Sequence, residues 1–196
     1  MNIERPKARQ EIPPHAKKVF SGILFDVYQW EQEQFDGSVA TFEKLKRLDS
    51  VMVLTALPDK KLLILEDEQP GRDTVLTFPG GSLDYEDEAP DSAALRELLE
   101  ETGYEPGELV LWKAYQPVSK VDWVLYFFIA RNCKKVAEPR LDPGERICAR
   151  TVDFDGFLHM LDDERFQGKD LRTEFMPAHY DAAERARLEV LLFGDH

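Results

Sequence analysis

The sequence predicts a mixed α/β (α+β) fold, in which a mixed β-sheet is sandwiched between helices and preceded by a small β lobe. Short segments with strand-like alternation or continuous apolar character recur along the chain, whereas few segments have the period of a helix. The 196 residues suit one main domain, and the 43% of hydrophobic residues can bury a sizeable core. One helix, which follows a pair of glycines, contains an unusual cluster of acids.

The first 48 residues are predicted to form an arm and a lobe. Residues 1–16 are expected to be a flexible arm, because this segment is polar and contains three prolines. Residues 17–48 are expected to form the β lobe. Aromatic and β-branched residues predict a strand over 19–30, and residues 39–45 return as a second strand. Asp36-Gly37 between them predicts a hairpin turn, because such turns need positive φ.

Residues 49–196 are predicted to form the main domain. Residues 50–57 are almost entirely apolar, which predicts a central strand. The acidic helix is expected to begin near Ala89 or Pro90, since proline is tolerated in a first turn, and to bury Leu95, Leu98 and Leu99. The other predicted elements are strands over 62–65, 74–78, 109–115, 123–130 and 146–152, and helices over 154–161 and 182–192.

The composition limits the possible partners. A net charge of −13 argues against binding to nucleic acids or to anionic membranes, although a divalent cation would allow a small anionic ligand to bind. The N-terminus lacks the apolar segment of a signal peptide, and no apolar run approaches the ~20 residues of a membrane span. Cys133 and Cys148 have no metal-binding spacing. We therefore expect a cytoplasmic protein with two free thiols.

The acidic cluster indicates a metal site. Glu97, Glu100 and Glu101 fall on one helix face at about 100° per residue, near the helix end where the dipole disfavours anions. Mutual repulsion of these carboxylates makes sense if a hard cation such as Mg²⁺ or Mn²⁺ binds there. Glu97 and Glu101 are the first candidates for ligands, and Glu100 is expected to join them directly or through water. A solvated helix face with Arg96 as a partial counterion is the alternative.

At these residues the sequence resembles the Nudix hydrolases, whose motif is G-x5-E-x7-R-E-U-x-E-E-x-G-U with U a bulky apolar residue. The second part of this motif fits without a gap: Glu88 is followed by seven residues and then by the run from Arg96 to Tyr104. The first part differs, because Ser82 stands where the family has glycine and the loop from the Gly80-Gly81 pair to Glu88 is one residue longer. The resemblance implies a Nudix fold and metal-dependent hydrolysis of a phosphoanhydride.

The resemblance also implies roles for single residues. The backbone carbonyl of Gly80 would bind metal, and Arg96 would pair with Glu88 to tie the loop to the helix. Glu88 as the general base is a minority interpretation. In the branch of ADP-ribose pyrophosphatases, which the chain resembles most, the base often comes from a late loop. Glu145 is our first candidate there, with Glu138 and Asp142 as alternatives, although solvated loop acids would look the same.

The same branch carries an N-terminal β lobe and usually forms homodimers through it, which implies a homodimer here. Arg72, which follows Gln69 before the glycine turn, is the candidate phosphate contact, although it could equally be an exposed loop residue. Tyr28, Trp30 and Trp123 could stack on a nucleobase, although aromatic residues in strands are more often core. The branch's marker proline is missing, because position 119 is serine and Pro117 lies two residues earlier.

These observations predict an enzyme that hydrolyses a nucleoside diphosphate linked to another moiety. ADP-ribose or another nucleotide sugar is the favoured substrate, and the products would be a nucleoside monophosphate and a sugar phosphate. A nucleoside triphosphate or dinucleoside polyphosphate pyrophosphohydrolase is one alternative. A Nudix-fold nucleotide sensor without catalytic activity is another.

Overall fold

A mixed β-sheet of six strands lies at the centre of the protein. The computed structural model describes residues 1 and 3–195; residues 2 and 196, at the ends of the predicted arm and main domain, lie outside this description. The strands are β1 (Lys17–Ser21), β2 (Asp26–Glu33), β3 (Val39–Lys46), β4 (Ser50–Ala56), β5 (Leu62–Glu68), β6 (Val75–Thr77), β7 (Tyr104–Glu105), β8 (Glu108–Tyr115), β9 (Val121–Asp122), β10 (Leu125–Arg131), β11 (Lys134–Lys135) and β12 (Arg146–Val152). The helices are α1 (Pro90–Thr102), α2 (Phe154–Met160), α3 (Lys169–Phe175) and α4 (Ala182–Phe193), with a 3₁₀ turn at Met176–His179.

The main sheet has the strand order β12-β5-β4-β10-β8, and β6 pairs with β5. Strands β4 and β10 are parallel, whereas the other neighbours are antiparallel. The prediction that residues 50–57 form a central strand is confirmed, because β4 lies in the middle of this order. Strand β6 ends just before the glycine pair and thereby brings that turn to the edge of β4.

Helices cover both faces of the sheet, which confirms the predicted sandwich. Along β10, Phe127 and Ile129 belong to the core cluster that contains side chains of α2, α3 and α4. Tyr126 and Phe128 alternate with them and belong to the cluster on the opposite face, which contains side chains of α1. The strand is buried on both sides, so its nearly continuous apolar sequence follows from its position.

Helix α1 begins at Pro90, as predicted, and ends before Gly103, whose φ of 75° and N–H bond to the Leu99 carbonyl form a left-handed cap. The predicted apolar stripe is partly wrong. Leu98 is buried, but Leu95 is 43% exposed. Ala93 and Ala94 are fully buried, like Leu98, and their small side chains let the helix approach the sheet closely. The Glu97 and Glu101 side of the helix is therefore held close to the edge of β4.

The N-terminal lobe is a second sheet with the order β1-β2-β3-β9. The hairpin turn at Asp36-Gly37 is confirmed, and Gly37 has a φ of 82°. The prediction of a single strand over residues 19–30 is wrong. The segment forms two strands, β1 and β2, which are separated by a turn where the Gly22 N–H donates to the Phe25 carbonyl. Because β9 belongs to the 49–196 segment and pairs with β3, the lobe and the main domain share this sheet.

The first sixteen residues contain no helix or strand among those the structure describes, yet they contact the main domain. The Arg5 guanidinium donates to the carboxylates of Asp49 at 2.7 Å and Asp122 at 3.0 Å. Ile3 packs against the α1 side of the core. Within the described residues, no helix is long and apolar enough to cross a membrane.

Candidate active site

A cavity of about 390 Å³ opens where three segments of the chain meet. These segments are the glycine turn after β6, the last turns of α1 and the loop before β12. The residues that line it are Gly80, Gly81, Ser82, Leu83, Asp84, Arg96, Glu97, Glu100, Glu101, Arg140, Asp142 and Glu145. Segments far apart in sequence thus bring the motif acids and the late-loop acids to one place.

The glycine turn is fixed by strand β4 and by α1. The carbonyls of Pro79 and Gly81 accept hydrogen bonds from the N–H groups of Val53 at 2.8 Å and Val51 at 2.9 Å. The Gly80 N–H donates to Glu101 Oε2 at 2.8 Å. Gly80 has a φ of 155°, and a Cβ there would overlap the Val51 carbonyl. Only glycine fits at this point, so the backbone of residue 80 can approach the helix acids directly.

Two of the helix carboxylates are buried without sufficient compensating charge. Burial raises the pKa of Glu101 to about 9, the Gly80 N–H opposes this change, and the charges of Glu97 and Glu145 add to it. Burial also raises the pKa of Glu97, against the influence of Arg96. A Cβ on Gly81 would overlap the Glu97 carboxylate. The turn and the helix therefore form a cradle around the carboxylates of Glu97 and Glu101. Within the described structure Glu97 is paired with Arg96, whereas Glu101 has no ion-pair partner.

Arg96 ties the loop to the helix. Its guanidinium donates to Glu88 at 3.1 Å, to Glu97 at 2.9 Å, to Glu100 at 3.3 Å and to the Ser82 carbonyl at 3.2 Å. Glu88 also accepts the Asp84 N–H at 2.7 Å. Burial raises the pKa of Glu88, but the hydrogen bonds from Arg96 and Asp84 outweigh it, and the net pKa is lowered. Glu88 does not line the cavity, so its contacts agree with the structural role and not with that of a base.

The loop before β12 supplies a further carboxylate. Glu145 lines the cavity with the helix acids, and burial raises its pKa. The loop is held to α1 because the Arg140 N–H donates to the Glu100 carbonyl at 2.7 Å. Asp142 lines the cavity as well. Glu138 does not, since its exposed carboxylate pairs with Lys135 at 3.1 Å. The structure thus brings two of the three candidate bases to the cavity.

The donor set fits a hard divalent cation in its chemistry and its burial. Glu97, Glu100, Glu101 and Glu145 offer carboxylate oxygens around one cavity, and such cations prefer oxygen ligands. Across residues 1 and 3–195, however, no three acidic, His or Cys side chains already converge as a ligand group. Arg96 bridges Glu97 and Glu100 instead. Binding of a cation would require these carboxylates to turn away from the guanidinium.

Arg72 lies beside the cavity and does not line it. Its guanidinium is bound by Asp67, a buried residue of β5, and its charge lowers the pKa of Glu145. Asp67 Oδ1 is buried and has no hydrogen-bond partner within the described structure. The negative charge of Asp67 contributes to the raised pKa values of Glu101 and Glu145. The predicted phosphate contact is therefore held by an acid that the sequence had not indicated.

None of the three aromatic residues predicted to stack on a nucleobase lines this cavity. Trp30 is only 6% exposed and packs on Phe42, with ring centroids 6.0 Å apart. Tyr28 lines a separate cavity with the N-terminal arm. Trp123 lies under the guanidinium of Arg47, 4.9 Å from its ring centroid. Each ring is engaged by the lobe or by the sheet, as strand aromatics usually are.

Arg140 is the cavity residue that the sequence did not reveal. Its side chain lines the cavity and makes no ion pair with any residue that the structure describes. Arg96 is the other lining arginine, and it is already engaged by several carboxylates. Arg140 stands among prolines and acids in the sequence, at no spacing that indicates a function. Its place at the cavity follows from the fold, in which its N–H donates to the Glu100 carbonyl.

Comparison with known proteins agrees with this geometry. The sequence profile of the NUDIX domain matches residues 46–173. The ADP-ribose pyrophosphatase of Bacillus subtilis (strain 168) is 28% identical over 159 residues, which cover 80% of this chain and 85% of the relative. The methanol dehydrogenase activator of Bacillus methanolicus is 26% identical over 153 residues, covering 76% and 82%. A solved ADP compounds hydrolase superposes with a TM-score of 0.68 at 19% identity, covering 91% of this chain and 95% of that one.

The chain belongs to the NUDIX family. It is a hydrolase, and the expected resemblance to the ADP-ribose pyrophosphatase branch is confirmed. Because the solved structure is only 19% identical, its similarity supports the fold alone. Nudix enzymes generally use divalent metals, which agrees with the chemistry of the carboxylates around the cavity.

Proposed function

We propose that the protein hydrolyses the phosphoanhydride of a nucleoside diphosphate linked to another moiety, with Mg²⁺ or Mn²⁺ as cofactor. The favoured substrate is ADP-ribose or another nucleotide sugar, and the products are a nucleoside monophosphate and a sugar phosphate. The observation that carries the proposal is the meeting of Glu97, Glu100, Glu101 and Glu145 at one cavity. The name of the 28% identical ADP-ribose pyrophosphatase supports the substrate class.

Glu97 and Glu101 would hold the cation, with Glu100 and the Gly80 carbonyl as further ligands. The ion, when bound, supplies charge neutralisation for the diphosphate and acidifies water. The glycine turn keeps the Gly80 backbone against Glu101, so that these groups are oriented before substrate binds. Arg96 keeps the loop and the helix in register through Glu88.

Glu145 would act as the general base. Water attacks one phosphorus, its proton passes to the Glu145 carboxylate, and the bridging oxygen leaves with the other phosphate. A partly buried carboxylate with a raised pKa is better matched to proton uptake near neutral pH than a fully exposed one. Glu145→Gln should therefore lower kcat by ~100-fold or more with little change in KM. Glu138→Gln is the matched control, because Glu138 is on the same loop but outside the cavity; equal losses in both variants would contradict the assignment.

Arg140 would bind the diphosphate. A guanidinium can hold two phosphate oxygens at once, and that of Arg140 is not engaged by a carboxylate in the described structure. Arg72 would have to leave Asp67 to take this role. The exposed position of Arg140 on the rim lets it meet an incoming anion before the buried acids do.

A second cavity supports a substrate with two bulky halves. It has a volume of about 300 Å³ and shares Glu145 with the first cavity. Glu68, Gln69, Pro143 and Gly144 are among its lining residues. A diphosphate bound beside Glu145 would have one cavity on each side, so that one cavity could hold the nucleoside and the other the sugar. A nucleoside triphosphate would use only one of these spaces.

The proposal is tested with a substrate panel in Mg²⁺ and in Mn²⁺. ADP-ribose and other nucleotide sugars should yield a nucleoside monophosphate and a sugar phosphate, faster than triphosphates or dinucleoside polyphosphates react. Preferential cleavage of either of the latter classes would favour the corresponding alternative. Binding of a nucleotide without turnover, measured by calorimetry, would favour the sensor. An intact panel with no binding would overturn the proposal.

We also propose a homodimer formed through the N-terminal lobe in the cytoplasm. Phe20, Ile23 and Leu24, which are close together in the chain at the β1–β2 turn, are each more than half exposed, and such apolar patches often mark interfaces. Light scattering after size exclusion should give twice the chain mass of 22.6 kDa. Ile23→Asp should reduce this to a monomer, and a monomeric wild type would refute the interface. Free Cys133 and Cys148 are consistent with a reducing compartment.

A further inference from the structure

Arg47 of the N-terminal lobe forms a hydrogen bond with the glycine turn. This residue directly follows β3, and its Nη2 donates to the Ser82 hydroxyl at 2.8 Å. Ser82 comes directly after the Gly80-Gly81 pair, and its carbonyl accepts a bond from Arg96 at 3.2 Å. An arginine of the lobe and an arginine of the catalytic helix therefore hold the same residue of the turn.

Arg47 has no carboxylate partner within the described structure, although the chain has a net charge of −13. The half-buried guanidinium is stacked on Trp123, 4.9 Å from the ring centroid, and lies 5.8 Å from that of Phe25. Burial lowers its pKa. A half-buried cation without an acid is held by its remaining contacts. Besides the ring, these are the Ser82 hydroxyl at 2.8 Å and two longer hydrogen bonds, to the Leu48 carbonyl at 3.4 Å and to the Ser50 hydroxyl at 3.5 Å, so the bond to Ser82 is the shortest of them.

The contact is continuous with the sheet and with the metal-binding cradle. Trp123 Nε1 donates to the Ser50 hydroxyl at 3.0 Å, and Ser50 and Ser82 form an isolated bridge between the backbones. Immediately before Ser82, Gly81 packs on the Glu97 carboxylate and the Gly80 N–H bonds Glu101. A displacement of Ser82 would therefore be passed to both carboxylates, because Gly81 is in close contact with Glu97 and the Gly80 N–H is bonded to Glu101.

We propose that Arg47 is a positioning residue, which sets the glycine turn through the Ser82 hydroxyl and so orients Glu97 and Glu101 for the cation. This inference rests on the proposed metal-dependent hydrolysis. The bond from Arg47 needs the Ser82 hydroxyl, so a residue without a side-chain oxygen at position 82 could not be held in this way. The N-terminal lobe thus acts on the catalytic centre within the same chain.

A matched control lies one residue away. Lys46 Nζ pairs with Glu86 Oε1 at 2.8 Å, and Glu86 belongs to the same loop. This pair is solvent-exposed, with 66% of the Glu86 side chain accessible, so its removal should matter little. Lys46→Met removes one cation and one lobe-to-loop contact, as Arg47→Met does, but leaves the glycine turn held.

The test compares Arg47→Met, Ser82→Ala, the double variant and Lys46→Met. Calorimetric titration of metal-free protein with Mn²⁺, without substrate, should show roughly 10-fold weaker binding for Arg47→Met and Ser82→Ala. The double variant should lose no more than either single variant, because both remove one interaction. Lys46→Met should bind as the wild type does. With substrate at saturation, the first three variants should need more Mn²⁺ for half-maximal rate.

Two outcomes would overturn the inference. Unchanged Mn²⁺ affinity in folded Arg47→Met and Ser82→Ala would leave Arg47 with a structural role only, even if Tm fell. Additive losses in the double variant would mean that the two residues act separately. Either outcome, if the wild type hydrolyses its substrate, refutes the positioning role of Arg47 and leaves the proposed function intact. A wild type that neither binds Mn²⁺ nor cleaves the panel refutes the proposed function and this inference with it.

Discussion

In metal-free protein, Glu101 should make the fold less stable as the pH rises. Its pKa is about 9 in the folded state and 4.5 as the ordinary value, so between these values the native carboxyl keeps a proton that the unfolded chain has lost. Stability falls with pH wherever the native state binds more protons. Substitution Glu101→Gln removes this titration and keeps an oxygen that can accept the Gly80 N–H.

The size of the effect follows from the pKa difference. One proton per molecule corresponds to about 1.4 kcal/mol for each pH unit. From pH 6 to pH 8, the free energy of unfolding of the wild type should therefore fall by up to ~2.7 kcal/mol more than that of Glu101→Gln. At pH 8 the variant should be the more stable of the two proteins, although it has lost a metal ligand.

Urea unfolding in excess EDTA at both pH values measures this difference, with slopes checked for two-state behaviour. Glu105→Gln is the control, because Glu105 is exposed and outside the cavity, and it should follow the wild type. Adding Mn²⁺ at pH 8 should stabilise the wild type far more than Glu101→Gln. A wild type and variant with parallel pH dependence would refute the conclusion that Glu101 is a buried acid without a counter-charge.

Two further substitutions test the surroundings of the cluster. Arg140→Ala should lower kcat/KM by roughly 10- to 100-fold, mainly through KM, since a charged hydrogen bond to phosphate is lost. Arg150→Ala, which lies outside both cavities, should not. Gly81→Ala should leave Tm within a few degrees but weaken Mn²⁺ binding by at least ~10-fold, because the new Cβ displaces the Glu97 carboxylate. Gly144→Ala is its control, since a Cβ there meets nothing. If a variant and its control showed equal effects, the argument for that variant would be contradicted.

Local patterns in the sequence predicted helix α1 and its acids. The start of α1 at Pro90, its end at Gly103 and the shared face of Glu97 and Glu101 follow from helix period and capping, which depend on neighbouring residues only. The central position of β4 follows in the same way from its unbroken apolar run. These features could be predicted because the residues that decide them are adjacent in the chain.

The neighbours of a loop side chain could not be predicted in this way. Arg72 and Arg140 are both loop arginines, and only the fold pairs the first with Asp67 and leaves the second at the cavity. A strand pattern likewise does not say which sheet face a ring such as Trp30 will meet. Leu95 was placed on the wrong side because alanines already filled the sheet-facing side of α1.

Short elements were also missed. Helix α3 spans seven residues, too few for a clear period, and the 3₁₀ turn follows it without a break. Strand β9 spans two residues and exists because β3 offers it a parallel partner. That pairing, invisible in the sequence, is what joins the lobe to the main domain beside Trp123.

The most direct test of the account is the release of AMP from ADP-ribose by the wild type and by Glu97→Gln, measured chromatographically in Mn²⁺, in Mg²⁺ and in EDTA. The account predicts AMP and ribose 5-phosphate in equal amounts with the wild type and metal, none with EDTA, and loss of most of the rate in folded Glu97→Gln. ADP-ribose and the other nucleotide sugars all staying intact with both metals, or a Glu97→Gln variant with the wild-type rate, would contradict it.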